Sequence, residues 1–107
     1  VIFFRGDAEA VEMFAGVTRR TLAYGQSLLL AEFTYERGAR APLHRHPHEQ
    51  ITYVVEGRYE ITIAGVPTVV EKGDSYLVPS NVEHGQFALE RTVTADIWHP
   101  PREDYLE

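Results

Sequence analysis

His44, His46 and His48 recur at every second position, and Gln50 continues the series. Imidazole nitrogens are the most frequent protein ligands for transition metals, and carbonyl-type oxygens can complete such a set. In an extended segment side chains alternate between faces, so His44 and His46 project the same way. A further ligand from a distant strand would close a metal site. His84, just past the turn-forming Pro79-Ser80-Asn81, is placed to be that group. The plainer alternative is a solvated patch of surface histidines.

The elements that must position these side chains are short. Thr18–Tyr24 and Ser27–Arg37 read as strands around Gly25, and in the second Leu29, Ala31, Phe33 and Tyr35 alternate with more polar neighbours. Gln50–Glu56 and Arg58–Ala64 flank Gly57 as a hairpin, and Val66–Glu71 follows Gly65. Ser75–Val78, Glu83–Leu89 and Thr92–Trp98 complete the series. The apolar run Val1–Arg5 predicts an opening strand, Asp7–Phe14 one or two helical turns with Asp7 as N-cap, and His99 onward an irregular arm. Many short strands with Gly and Pro turns and no long helical period predict an all-β sandwich or barrel.

The 107 residues fit one domain, and 44% hydrophobic content can fill one core. A net charge of −6 excludes the broad basic surface of a nucleic-acid binder, though not a locally positive site for a small anion. With no cysteine, disulfides and thiolate zinc sites are excluded. The longest apolar run, Leu28–Ala31, falls far below the ~18 residues of a membrane span. Arg5, Asp7, Glu9 and Glu12 interrupt any signal-like start, so a cytoplasmic protein that engages neither membrane nor nucleic acid is expected.

Two motifs sharpen this reading. Gly38, His44-Arg45-His46, position 50 and Gly57 have the spacing of the first motif of the cupin family, in which a glutamate usually stands where this chain has Gln50. Gly73, Pro79, Asn81, His84 and Ala88 follow the second, with Asn81 in place of a glycine and Ala88 in place of an asparagine. The chain thus resembles a small single-domain cupin across roughly residues 27–98. The resemblance implies a single cupin domain over residues 1–107: a double-stranded β-helix, or jelly-roll barrel, with an N-terminal strand and a C-terminal arm. It also implies one divalent metal ion on His44, His46, Gln50 and His84. Those ligand types suit nickel, zinc, iron, manganese or cobalt without choosing among them. Glu49 competes with Gln50 for the fourth position, but alternation sets it on the opposite face, and Gln50 is preferred. Such a set carries no charge of its own, so the ion keeps its full 2+, which favours an anionic partner and Lewis-acid chemistry. His48 reads as a pocket-rim residue, Arg45 and Glu49 as exterior, and His99 as structural.

Near the C-terminus, Asp96 and Trp98 share one face of a strand, and Arg102 follows the bend at Pro100-Pro101. They either line a pocket or, in the simpler reading, leave Asp96 and Arg102 as an ion pair on an exterior tail. The runs His44–Gly57, Asn81–Gly85 and Asp96–Leu106 are similar to the family of the pectin-degradation protein KdgF. That similarity implies metal-dependent conversion of 4,5-unsaturated uronates to linear 4-deoxy-5-keto uronates in pectin and alginate catabolism. Asp96 and Arg102 would be catalytic, with Trp98 and Arg102 binding the anionic sugar. The family's aromatic is commonly phenylalanine, so Trp98 is a departure that narrows the pocket. Small cupins are often homodimers, which is the expectation here, with Val1–Phe4 available to a partner copy. A non-enzymatic module for a small carboxylate or sugar and a metal-dependent dioxygenase are the alternatives; Gln50 counts against the dioxygenase.

Overall fold

A computed structural model describes residues 1–106. The strands are β1 (Ala10–Phe14), β2 (Val17–Tyr24), β3 (Leu29–Tyr35), β4 (Arg40–His44), β5 (Glu49–Glu56), β6 (Arg58–Ile63), β7 (Val66–Glu71), β8 (Ser75–Val78), β9 (His84–Ala88) and β10 (Thr92–His99). They form a six-stranded sheet ordered β1-β2-β3-β10-β5-β8 and a four-stranded sheet ordered β4-β9-β6-β7. Every pairing is antiparallel. The two sheets enclose the core in the jelly-roll arrangement of a cupin barrel, as the motifs imply. The described residues contain no helix long and apolar enough to cross a membrane.

Alternation places the core. Leu29, Ala31, Phe33 and Tyr35 are buried along β3, and Val54, Tyr59 and Ile61 meet them from β5 and β6. On β10 the inward positions are Thr92, Thr94, Asp96 and Trp98, an unusually polar column for a barrel interior. Burying hydroxyls and a carboxylate costs free energy unless they are paired, so this stretch of the interior is built for something other than packing.

Three local expectations change. Asp7–Phe14 does not form helical turns: a 3-10 turn covers Arg5–Asp7 and a strand covers Ala10–Phe14. In that strand Val11 and Met13 alternate with exposed neighbours, and pairing with β2 outweighs any local helical tendency. The opening strand is likewise absent from Val1–Phe4, where Phe3 instead rests on Tyr24 with ring centroids 5.2 Å apart. Finally, Arg40–His44 is a strand that the sequence reading passed over, and its pairing with β9 is part of the site.

Gly57 makes the β5–β6 turn possible. Its φ is +90°, and an added Cβ would lie 2.2 Å from the Arg91 carbonyl oxygen and 2.6 Å from the Thr92 Cα. Gly57→Ala is therefore expected to destabilise the fold by more than about 2 kcal/mol, combining a left-handed backbone with a backbone clash. Chemical denaturation of the two proteins measures the difference.

Candidate metal centre

Strand register brings the candidate residues together from both sheets. In the four-stranded sheet His44 of β4 is paired directly with His84 of β9, after a bulge between Ala41 and His44. In the six-stranded sheet Gln50 of β5 pairs with Trp98 of β10, and Thr52 pairs with Asp96. His46 comes from the loop joining β4 to β5, so the chain leaves the extended state between His44 and Gln50 rather than running through them as a strand. That loop is held in place by the turn before β9. The Asn81 N–H donates to the His46 carbonyl at 2.8 Å, and the Ser80 hydroxyl donates to the Pro47 carbonyl. Asn81 has φ +63°, a conformation asparagine tolerates better than most residues.

One ring nitrogen from each of His44, His46 and His84 lies within 4.8 Å of the others. Their other nitrogens are all spoken for. His44 Nδ1 donates to the Pro42 carbonyl at 2.8 Å, His46 Nδ1 to His48 at 3.0 Å, and His84 Nδ1 to Val82 at 2.9 Å. A carbonyl oxygen only accepts, so each Nδ1 carries the proton, and a neutral ring then presents its Nε2 lone pair to the cluster. Burial, chiefly, pushes His84 down to about 4, with His44, His46 and Arg102 adding repulsion against the Val82 carbonyl. Burial also lowers His46, assisted by Arg102. Both rings are therefore neutral at pH 7.

Gln50 is buried, and its amide orientation is fixed from both ends. The Trp98 indole, which can only donate, gives its N–H to Gln50 Oε1 at 3.0 Å. The Gln50 amide donates to Thr52 Oγ1 at 2.9 Å and to Asp96 Oδ2 at 3.3 Å. Oε1 consequently faces His46 Nε2 at 3.1 Å. Two lone-pair acceptors at that distance would be reconciled by one cation that takes both. His84 Nε2 is also buried with no protein partner. A divalent ion taking imidazole nitrogens and an amide oxygen answers both features, so the residues present fit the group. Glu49 is exposed on the opposite face of β5, as alternation requires.

Asp96 is buried, and burial raises its carboxyl to about 7, with the neighbouring Thr94 and Thr52 hydroxyls opposing the shift. Its Oδ1 has no partner. Trp98 is buried too, edge-on to Phe33 and Tyr105 with centroids at 5.9 and 5.2 Å. Arg102 does turn back to the cavity, but it does not pair with Asp96. Its guanidinium forks onto Asp104 at 2.9 and 3.1 Å and lies 4.2 Å from the centre of the Tyr105 ring. His44, His46, Gln50, Asp96, Trp98 and Arg102 all face one cavity of about 270 Å³. His48 does not line it: its ring is 5.5 Å from that of His46 but faces a separate hollow beside Pro100, Pro101 and Asp104, and His99 bonds the Ser27 carbonyl.

Sequence reading overlooked Thr52, Gln86 and Tyr105. The first two had a signal: Thr52 follows Gln50 by two residues and Gln86 follows His84 by two, so each shares its neighbour's face. Tyr105 had none, since only the folded chain brings it under Trp98.

Comparison with known proteins bears on the family and the fold. The cupin domain family matches residues 31–98. The pectin degradation protein KdgF of Dickeya dadantii is 32% identical over 97 residues, covering 89% of this chain and 88% of its own. Among solved structures, KdgF from a Halomonas species superimposes with a TM-score of 0.91 at 29% identity, over 97% of this chain and 96% of its own. An RmlC-like cupin from Shewanella frigidimarina reaches 0.92 at 32% identity, over 97% and 94%.

Saturating divalent metal is expected to raise the melting temperature, by the equivalent of about 2.7 kcal/mol at a hundredfold excess over Kd. Calorimetric scans should find that gain abolished in His84→Ala and kept in Glu49→Gln. The reverse pattern between Glu49→Gln and Gln50→Leu would move the fourth ligand to Glu49.

Proposed function

This chain belongs to the cupin domain family, and from that membership we propose that it is a metal-dependent enzyme of pectin catabolism. It converts 4,5-unsaturated uronate monosaccharides to linear 4-deoxy-5-keto uronates. The observation that carries this reading is the hydrogen-bonded chain from Trp98 through Gln50 to Asp96, which sets a buried carboxyl beside a neutral ligand set. The relationship to KdgF supplies the substrate class.

The reaction is an isomerisation. The C1–O5 bond breaks, the C1 hydroxyl loses its proton to become a carbonyl, C5–O5 becomes the ketone, and C4 gains a proton. His44, His46, Gln50 and His84 would hold a divalent ion, which when bound would supply Lewis-acid polarisation of the anionic substrate. Asp96, with its carboxyl near 7, can hold or release a proton at neutral pH, which suits it to move one from oxygen to C4. Arg102 adds positive charge for the substrate carboxylate, and the Trp98 ring forms a wall for the sugar. A cysteine-free chain accords with a cytoplasmic site of action.

We also propose a homodimer. Leu30, Ile97, Ile51 and Leu77 stand side by side on four neighbouring strands, on the outer face of the six-stranded sheet. Ile97, Ile51 and Leu77 are exposed there, with Tyr53 and Val55 beside them. A flat apolar sheet face of this kind is suited to self-association about a two-fold axis.

With a lyase-generated 4,5-unsaturated uronate, metal-loaded protein is expected to speed the loss of ultraviolet absorbance, and a chelator to remove the effect. Asp96→Asn should lower the rate by about 10²-fold or more with the fold intact by circular dichroism. An unchanged rate removes Asp96 from proton transfer. Light scattering should report a dimer mass for the native chain and a monomer mass for Ile51→Glu.

A further inference from the structure

Gln86 sits on β9 two residues after His84, on the same inward face, between Ala41 of β4 and Ile61 of β6. It is 5% exposed and faces the cavity that holds the histidines and Asp96. Its amide lies beside the Tyr76 phenol, which is itself bonded to the Tyr59 hydroxyl. Gln86 Oε1 is buried with no protein partner. An amide oxygen stripped of water and left unpaired costs free energy, so a native fold retains one where something else supplies the donor. Asp96 Oδ1, from the opposite sheet, is unpartnered in the same cavity. The site thus offers two acceptors from facing walls, alongside a cationic side formed by Arg102 and by the ion that the neutral ligand set would hold. A molecule carrying a carboxylate at one end and hydroxyls along its rim matches that distribution.

We propose that Gln86 is a specificity-determining residue, whose Oε1 accepts a hydrogen bond from a ring hydroxyl of the substrate. This deepens the uronate reading above and rests on it for the substrate class. Gln86 forms no part of the ligand set, and its contribution is to binding and selection. Losing one neutral buried hydrogen bond should weaken binding by about three- to tenfold.

The test compares the metal-loaded native chain with Gln86→Met, titrated calorimetrically with two probes. Galacturonate carries the ring, the carboxylate and the hydroxyls, while tetrahydropyran-2-carboxylate carries the ring and the carboxylate alone. The expected result is a three- to tenfold loss of galacturonate affinity in Gln86→Met with tetrahydropyran-2-carboxylate unchanged. In turnover of the unsaturated uronate, KM should rise by a similar factor with kcat little altered. Equal weakening of both probes assigns Gln86 to structure alone and overturns the proposal, as does unchanged galacturonate binding. The two readings separate cleanly. Native protein that turns over the uronate while Gln86→Met binds galacturonate normally refutes only the role of Gln86. Selective loss of galacturonate in a protein without turnover refutes only the reaction.

Discussion

Three short hydrogen bonds, from the Nδ1 of His44, His46 and His84 to backbone carbonyls two residues away, govern the centre of this protein. Each fixes a tautomer and a ring orientation, and together they turn three Nε2 lone pairs toward common ground. Backbone carbonyls are unusually dependable partners for this purpose. They cannot donate, cannot titrate and cannot swing away without moving the chain. The rest of the fold can be understood as holding Pro42, His48 and Val82 where their carbonyls are needed. The β4–β9 register does so for His44 and His84, and the grip of Ser80 and Asn81 on the 46–47 loop does so for His46.

Opposite this cluster, the six-stranded sheet spends part of its interior on polar groups. Gln50, Thr52 and Asp96 are bonded to one another across two paired strands, and Trp98 closes the arrangement by donating to Gln50. The same Trp98 ring joins Phe33 and Tyr105 in an apolar wall. Two guanidinium groups pack on Tyr105, those of Arg19 and Arg102, each 4.2 Å from its ring centre. This stack, with the Asp104 fork, holds the irregular C-terminal arm across the mouth of the barrel and sets Arg102 at the cavity. Polar interior and cationic rim are therefore two consequences of one packing arrangement.

Much of this was legible in the sequence for a simple reason. Strand periodicity is two, so the inward faces of Gln50 on β5 and of Asp96 and Trp98 on β10 could be assigned by counting. The same counting would have found Thr52 and Gln86, whose ordinary residue types drew no attention. Counting fails where the chain bends. The convergence of His46 depends on a loop rather than a strand, and β4, with Pro42 in its five residues, carries little strand signal of its own. Asp7–Phe14 misled because a short amphipathic run satisfies both periods, and only its pairing with β2 decides. The course of the arm from Pro100 to Leu106 depends on contacts with β2 and β10 that no local pattern encodes.

The central claim is that His44, His46, His84 and Gln50 hold one divalent ion as a neutral ligand set. Anomalous diffraction from crystals grown with the metal tests it most directly. The account predicts a single strong peak bounded by the three Nε2 atoms and Gln50 Oε1, with Glu49 remaining on the outer face. A peak ligated by Glu49, or an ion bound away from the three histidines, would contradict it.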